Sequence, residues 1–216
     1  MANGAEASPC GLFPHDLVIF REHFLAIESD FVRTLPFVEV CDANNGTYSL
    51  EYMKILLAAG AEVDILTRYL AKHLDPDPEK EYRRLDKKGE VILKNFPNIG
   101  MCHVLPANKM RVKASQIVIA PWSDWDGNED GELDCQPPRW WTAYNDVKHD
   151  RGNSFSSATL WNAMSAMAAW LVVLLYLERI ITQDVVMFDT QFFRMNGMNS
   201  RRIMARPQEF LPDFRI

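Results

Sequence analysis

Apolar residues recur at spacings of three and four along the first third of the chain, which is the pattern of amphipathic helices. The first set predicts a helix from about Pro14 to Leu35, ending before Pro36 because the residue before a proline disfavours helical geometry. Its members are Leu17, Phe20, Phe24, Ile27 and Phe31. A second set predicts a helix that follows Ser49, a good N-cap residue, and ends before Asp75. Its members are Met53, Leu56, Leu57, Ala61, Val63, Leu66 and Leu70.

The middle of the chain changes from helical to extended patterns. A third, strongly charged helix is predicted from Pro78 to Lys94. Two short runs then follow, Met101–Leu105 and Ala114–Ala120, and they predict a β-hairpin over residues 101–122. Residues 124–136 are acidic and contain glycines, so we expect a surface loop there.

The last two predicted helices run from about Pro138 to Lys148 and from Ala158 to Ile181. The final helix is apolar on every side, as the central helix of a bundle must be. Its continuous apolar run is nearer a dozen residues than the ~20 that a bilayer requires, so we expect no membrane span. Residues 185–188 predict a short strand.

Together these elements predict a mainly α fold. We expect one helical domain over residues 14–216, a bundle of about five helices with a small β-hairpin insertion, after a flexible N-terminal segment of residues 1–13. The length of 216 residues suits one domain. The N-terminus lacks the basic and apolar regions of a signal peptide, and we expect a cytoplasmic protein.

Composition narrows the classes of function. The net charge of −6 disfavours nucleic-acid binding over the whole surface, so any RNA site has to be local. The four cysteines are far apart and form no CxxC pair, which predicts reduced thiols rather than zinc ligands or disulfides. Glycine-rich phosphate loops and HExxH motifs are absent from the sequence, and no cofactor is predicted.

One segment, from Trp140 to Arg151, places several polar and charged side chains close together on and just after a predicted helix. Asn145 and His149 lie one helical turn apart, and Lys148 and Arg151 add positive charge beside them. An imidazole can transfer a proton near neutral pH, and a cation can stabilise charge on a phosphate. This set suits metal-free cleavage of RNA through its 2′-hydroxyl. The same residues could instead only brace the turn that follows the helix.

The segment resembles the signature of HEPN domains, helical bundles whose motif is an arginine, a polar residue, three variable residues and a histidine. Asn145 and His149 match the last two fixed positions, and Tyr144 stands where the family has its arginine. The long apolar helix that follows is also similar to the HEPN arrangement. The resemblance covers the last two predicted helices well and residues 49–73 only loosely.

The resemblance implies a ribonuclease site built by both chains of a homodimer, in toxin–antitoxin or phage-defence systems. His149 would be the general acid or base and Asn145 would orient the scissile group. With Tyr144 in place of the arginine, Lys148 or Arg151 would supply the charge. Some members of the family are inactive, so two interpretations are open: a metal-independent endoribonuclease, or a non-catalytic helical binding or scaffold module that dimerises.

Two other sets of residues have the chemical types of a site but less support from their spacing. Residues 126–134 resemble part of an EF-hand loop, with calcium ligands expected at Asp126, Asn128, Asp130 and Asp134. The closing glutamate of that loop is replaced by Pro137, which favours a solvated acidic loop. Two cysteine–histidine pairs, Cys135 with His149 and Cys102 with His103, have the residue types of a nucleophile and its base, but no other local feature supports them.

Overall fold

The computed structural model describes residues 7–77, 79–106, 117–127, 133–183 and 189–195, and the predicted mainly α fold is confirmed. The helices are α1 (Leu17–Thr34), α2 (Leu50–Leu74), α3 (Leu85–Asn95), α4 (Arg139–His149), the short α5 (Arg151–Ser154) and α6 (Leu160–Thr182). The strands are β1 (Val104–Pro106), β2 (Trp125–Gly127), β3 (Leu133–Cys135) and β4 (Phe193–Met195). Short 3₁₀ turns join several of these elements.

Helix α6 forms the centre of the fold. Its residues from Ala163 to Glu178 are all buried, α2 packs along it, and α1 and α4 pack against both of these helices. By length and composition α6 could cross a membrane, and 89% of its most apolar window is buried within the protein. The side-chain hydroxyls of Ser49 and Thr159 accept backbone N–H bonds at the starts of α2 and α6, which explains where these helices begin.

Helix α3 is shorter than predicted, because it begins at Leu85 rather than Pro78. Tyr82 lies in the left-handed region, with φ of 46°, a backbone conformation that ends helical geometry. The Tyr82 hydroxyl donates to a carboxylate oxygen of Asp75 at 2.6 Å, and this contact ties the segment back to the end of α2. Tyr82 therefore lies against the end of α2 and outside any helix.

The β structure also differs from the prediction. Val104 and Ile119 form a single antiparallel bridge, which agrees with part of the expected hairpin, while residues 107–116 lie outside the described residues. Strand β1 instead pairs with β4, from the far end of the chain. The segment 124–136, expected to be a loop, contains the antiparallel pair β2–β3.

A buried carboxylate holds β4 onto the bundle. Glu28 on α1 is fully buried, and its two oxygens accept backbone N–H bonds from Gln191, Phe192 and Phe193 at 2.8–2.9 Å. Burial raises the pKa of the Glu28 carboxyl above its ordinary value, while the three N–H bonds oppose that shift. The Phe192 and Phe193 rings pack on Phe31, so this polar anchor lies inside an aromatic cluster.

The N-terminal segment was expected to be flexible. Residues 8–12 form a closed turn in which Leu12 is buried, and residues 1–6 lie outside the part of the chain that the structure describes. The strand predicted at residues 185–188 also lies outside it.

Candidate functional site

One face of α4 is packed into the bundle. Trp140, Trp141, Tyr144 and Val147 are buried along it. The Trp140 indole N–H donates to the carbonyl oxygen of Pro121 at 2.8 Å, and the Trp141 and Tyr144 rings meet with centroids 5.1 Å apart. Apolar residues at these spacings explain why α4 forms and which way it faces.

The Tyr144 ring lies directly over Gly60 on α2. A Cβ atom at position 60 would come within 2.3 Å of the Tyr144 Cδ2 atom, so only glycine allows this contact. Tyr144, predicted as a site residue, is buried and serves first as a packing residue. The Lys148 Nζ atom lies 5.2 Å from the centre of the same ring, which is the geometry of a cation–π contact.

Lys88 on α3 is buried between α2 and the aromatic side of α4. Its side chain is fully buried, and Nζ contacts the Asp64 carboxylate at 2.5 Å and the Asp64 carbonyl oxygen at 3.1 Å. The second oxygen of Asp64 accepts an N–H of Arg68 at 2.8 Å. Burial lowers the pKa of Lys88, and the contact with Asp64 opposes this. The Lys88 Nζ also lies 5.8 Å from the centre of the Trp141 ring.

The C-terminal end of α4 has the opposite character. Lys148, His149 and Arg151 are all exposed, and we call these three residues the His149 surface. Across the described ranges, their side chains form no hydrogen bond or ion pair with another residue. Asp146 and Asp150 are exposed in the same segment, so residues 146–151 taken together carry little net charge.

The turn after α4 is held by other residues. The Asn153 amide donates to both oxygens of the Asp150 carboxylate at 3.0 Å, and the Asp150 backbone N–H bonds to the Asp146 carbonyl at 2.8 Å. The side chains of the His149 surface take no part in these bonds. Their position leaves them available to a ligand.

Asn145 lies between the packed and exposed faces. Its amide nitrogen donates to the Trp141 carbonyl oxygen at 3.1 Å, within the helix. Asn145 and Trp141 also line a cleft of about 640 Å³ between α4, β3 and the start of α3, and His149 is not among its lining residues. The structure therefore brings Lys148, His149 and Arg151 to one exposed end, with Asn145 on the adjoining wall of a separate cleft.

Comparison with protein-family models, curated proteins and solved structures finds no match to this chain.

Two of the four proposed calcium ligands can be located. Asp126 on β2 and Asp134 on β3 are direct cross-strand partners, whereas Asn128 and Asp130 lie outside the described residues. Where the chain is described, no three histidine, cysteine or acidic residues are close enough to hold a metal ion. The calcium site stays a prediction.

In each of the two cysteine–histidine pairs considered from the sequence, the cysteine is buried and the histidine is exposed. Cys102 and Cys135 are buried, and His103 and His149 are exposed. Burial raises the pKa of both thiols to about 11, which keeps them protonated at neutral pH. The Cys102 sulfur instead lies 3.4 Å from the Tyr176 hydroxyl.

Sequence reasoning missed the role of Lys88. It lies in a helix with many charges, and such a pattern normally indicates a solvated face. The one available signal was Asp64 on α2, because an acidic group inside a helical bundle needs a partner.

Proposed function

We propose that this chain is a metal-independent endoribonuclease of HEPN type that acts as a homodimer. The observation that carries the proposal is the His149 surface, where the imidazole of His149 and the cations of Lys148 and Arg151 are exposed and form no ion pair with a described residue. Asp150 and Asn153 hold the adjoining turn, so the hydrogen bonds of that turn do not require His149, Lys148 or Arg151.

The chemistry follows from these groups. A base removes the proton of a ribose 2′-hydroxyl, the 2′-oxygen attacks the adjacent phosphorus, and the 5′-oxygen leaves with a proton from an acid. This gives a 2′,3′-cyclic phosphate and a free 5′-hydroxyl. His149 of one copy and His149 of the second copy would be the base and the acid.

Lys148 is the better candidate for the cation that stabilises the phosphate. It belongs to α4 itself and lies over the Tyr144 ring, which limits the positions that its ammonium group can take. Tyr144 thus contributes as a positioning residue at the place where the family has arginine. Arg151 belongs to the next helix and has no comparable contact among the residues described.

The dimer is part of the proposal because one copy presents His149 on an open end of a helix. A second copy facing it would supply the second imidazole and exclude water from the reacting phosphate. Sedimentation velocity of the purified protein is expected to give a dimer, and a monomer at micromolar concentration would contradict this part of the proposal.

The decisive experiment measures RNA cleavage in EDTA. We expect the wild-type protein to cut a single-stranded RNA to cyclic-phosphate ends, and His149→Ala to reduce the rate by at least about 100-fold. Lys148→Ala is expected to reduce it more than Arg151→Ala. His103→Ala is the matched control, because His103 is an exposed histidine outside the His149 surface.

Three results would contradict the proposal. These are intact RNA at stoichiometric protein, equal activity of the wild type and His149→Ala, and cutting of a substrate whose 2′-hydroxyls have been removed. The last substrate separates this chemistry from nucleases that activate water.

A second candidate function, a non-catalytic binding module, is supported by exposed apolar side chains. Phe37 is 87% exposed and Leu50 is 67% exposed, and the ring of Tyr48, which is 51% exposed, packs edge-on against Phe155. Exposed apolar patches can bind protein partners. This function predicts that His149→Ala leaves every measured activity unchanged, while Phe37→Ser and Leu50→Ser abolish self-association.

A further inference from the structure

The N-terminal turn places a cysteine against a histidine that lies 63 residues away. The turn is closed by backbone bonds from Ser8 N–H to Leu12 O at 2.9 Å and from Gly11 N–H to Ser8 O at 2.7 Å. Gly11 has φ of +84°, which glycine adopts without strain. The Cys10 sulfur consequently lies 4.0 Å from Nδ1 of His73, in the last turn of α2.

The Ser8 hydroxyl lies beside this pair, and either the hydroxyl or the thiol can be the donor between them. The hydroxyl oxygen accepts the Leu12 backbone N–H at 3.2 Å and lies 3.0 Å from the Cys10 sulfur. Because the oxygen is already an acceptor, the hydroxyl hydrogen is free to point at the sulfur and stabilise negative charge there. Cys10 as a whole is half-buried.

His73 can accept the thiol proton at Nδ1 in the tautomer that carries its hydrogen on Nε2. Burial lowers the pKa of the imidazole, which keeps the ring neutral near pH 7 and also makes it a weaker base. Its place at the C-terminal end of α2 then favours the positive charge that the ring gains, because the helix dipole is negative there.

The other three cysteines lack this environment. Cys102 and Cys135 are buried, as described above. Cys41 is half-buried like Cys10, but no imidazole contacts it among the residues that the structure describes. Cys41 is therefore an internal control for simple access to solvent.

We propose that Cys10 and His73 form a nucleophilic thiol–imidazole pair, and that Cys10 is a site of covalent modification by small, uncharged, soft electrophiles. In the reaction the Cys10 sulfur forms a bond to the electrophilic carbon, the leaving group departs with its bonding electrons, and the thiol proton passes to His73 Nδ1. The pair is separate from the His149 surface, so it does not depend on ribonuclease activity.

The test is alkylation of the folded, full-length protein by iodoacetamide at pH 7, followed over time by mass spectrometry of each cysteine peptide. Iodide is the leaving group. We expect Cys10 to react at least about tenfold faster than Cys41, with Cys102 and Cys135 unmodified on the same timescale. His73→Gln is expected to lower the Cys10 rate to that of Cys41, and Ser8→Ala to cause a smaller loss.

The Cys41 rate in each variant reports whether the protein as a whole has changed, and His103→Gln is the matched control for removal of a histidine. Equal rates at Cys10 and Cys41 in the wild type would overturn the proposal. So would a Cys10 rate that His73→Gln leaves unchanged or increases.

Discussion

Charged side chains inside the bundle and those of the His149 surface are arranged in opposite ways. Inside, Lys88 is fully buried and bonded to Asp64, which also binds Arg68, and Glu28 accepts three backbone N–H bonds. At the end of α4, Lys148, His149 and Arg151 are exposed and make no such bonds with described residues. Buried charges must be paired to be tolerated, whereas exposed cations can stay unpaired until a ligand arrives.

The largest effect in this comparison is expected from Lys88→Met. The substitution keeps the volume of the side chain but leaves the Asp64 carboxylate with Arg68 alone, so we expect unfolding to become easier by about 2–3 kcal/mol. Urea denaturation measures this change.

Lys87→Met is the matched control, because Lys87 is an adjacent lysine whose pair with Glu90 is on the surface. We expect it to alter the free energy of unfolding by no more than about 0.5 kcal/mol. A Lys88→Met protein as stable as the wild type would show that the buried pair does not support the α2–α3 contact.

An intermediate effect is expected in the pH dependence of stability, through Glu28. Burial raises the pKa of this carboxyl in the folded protein above its ordinary value of 4.5. The folded state then holds the proton more tightly, so its contribution to stability is complete below pH 4.5 and declines as the pH rises through the folded pKa. Glu28→Gln removes this pH dependence, and the stability lost across the titration amounts to about 1.4 kcal/mol for each unit by which the pKa is raised.

The measurement is the free energy of unfolding between pH 4.5 and 7 for both proteins. Glu178, with a pKa also raised by burial, gives a slope of the same sign, and His73, with a lowered pKa, gives the opposite slope. Glu178 and His73 are present in both proteins, so the difference between the wild-type and Glu28→Gln stabilities at each pH reports Glu28 alone. Glu22→Gln, on the exposed side of α1, is the control, and an unchanged slope in Glu28→Gln would contradict the expectation.

The smallest effects on stability are expected at the His149 surface. Arg151→Ala should change the free energy of unfolding by less than about 0.5 kcal/mol. Lys148→Ala loses its contact with the Tyr144 ring and should cost up to about 1 kcal/mol. Thermal and urea unfolding measure both, and a loss near that of Lys88→Met would mean that these cations are structural after all.

The helical part of the fold was predictable because its signals are local. Helices α1, α2, α4 and α6 lie within a few residues of their predicted ranges, since apolar spacing and the caps at Ser49 and Thr159 act over one or two turns. The start of α3 was wrong because the contact of Tyr82 with Asp75 overrides local helix propensity. The β1–β4 pair joins segments about ninety residues apart, and short strands carry no signal for such a partner.

The sequence indicated the residue types of the candidate site, and its geometry depends on tertiary packing. The spacing of Asn145 and His149 places both on one side of α4, but sequence cannot show that the cleft beside Asn145 excludes His149. The sequence also could not show that the Tyr144 side chain is buried in the core. Both outcomes depend on how α4 packs against α2 and α3, which is a tertiary property.

The contact of Gly60 with Tyr144 links positions on two helices, α2 and α4, that are far apart in the chain. A larger residue in place of Gly60 requires a smaller residue in place of Tyr144. That second change also removes the aromatic ring that the Lys148 ammonium group contacts. Replacing Tyr144 alone with a smaller residue would leave empty space above Gly60. Positions 60 and 144 can therefore change together only through paired replacements on two helices, and either replacement alone gives a less stable protein.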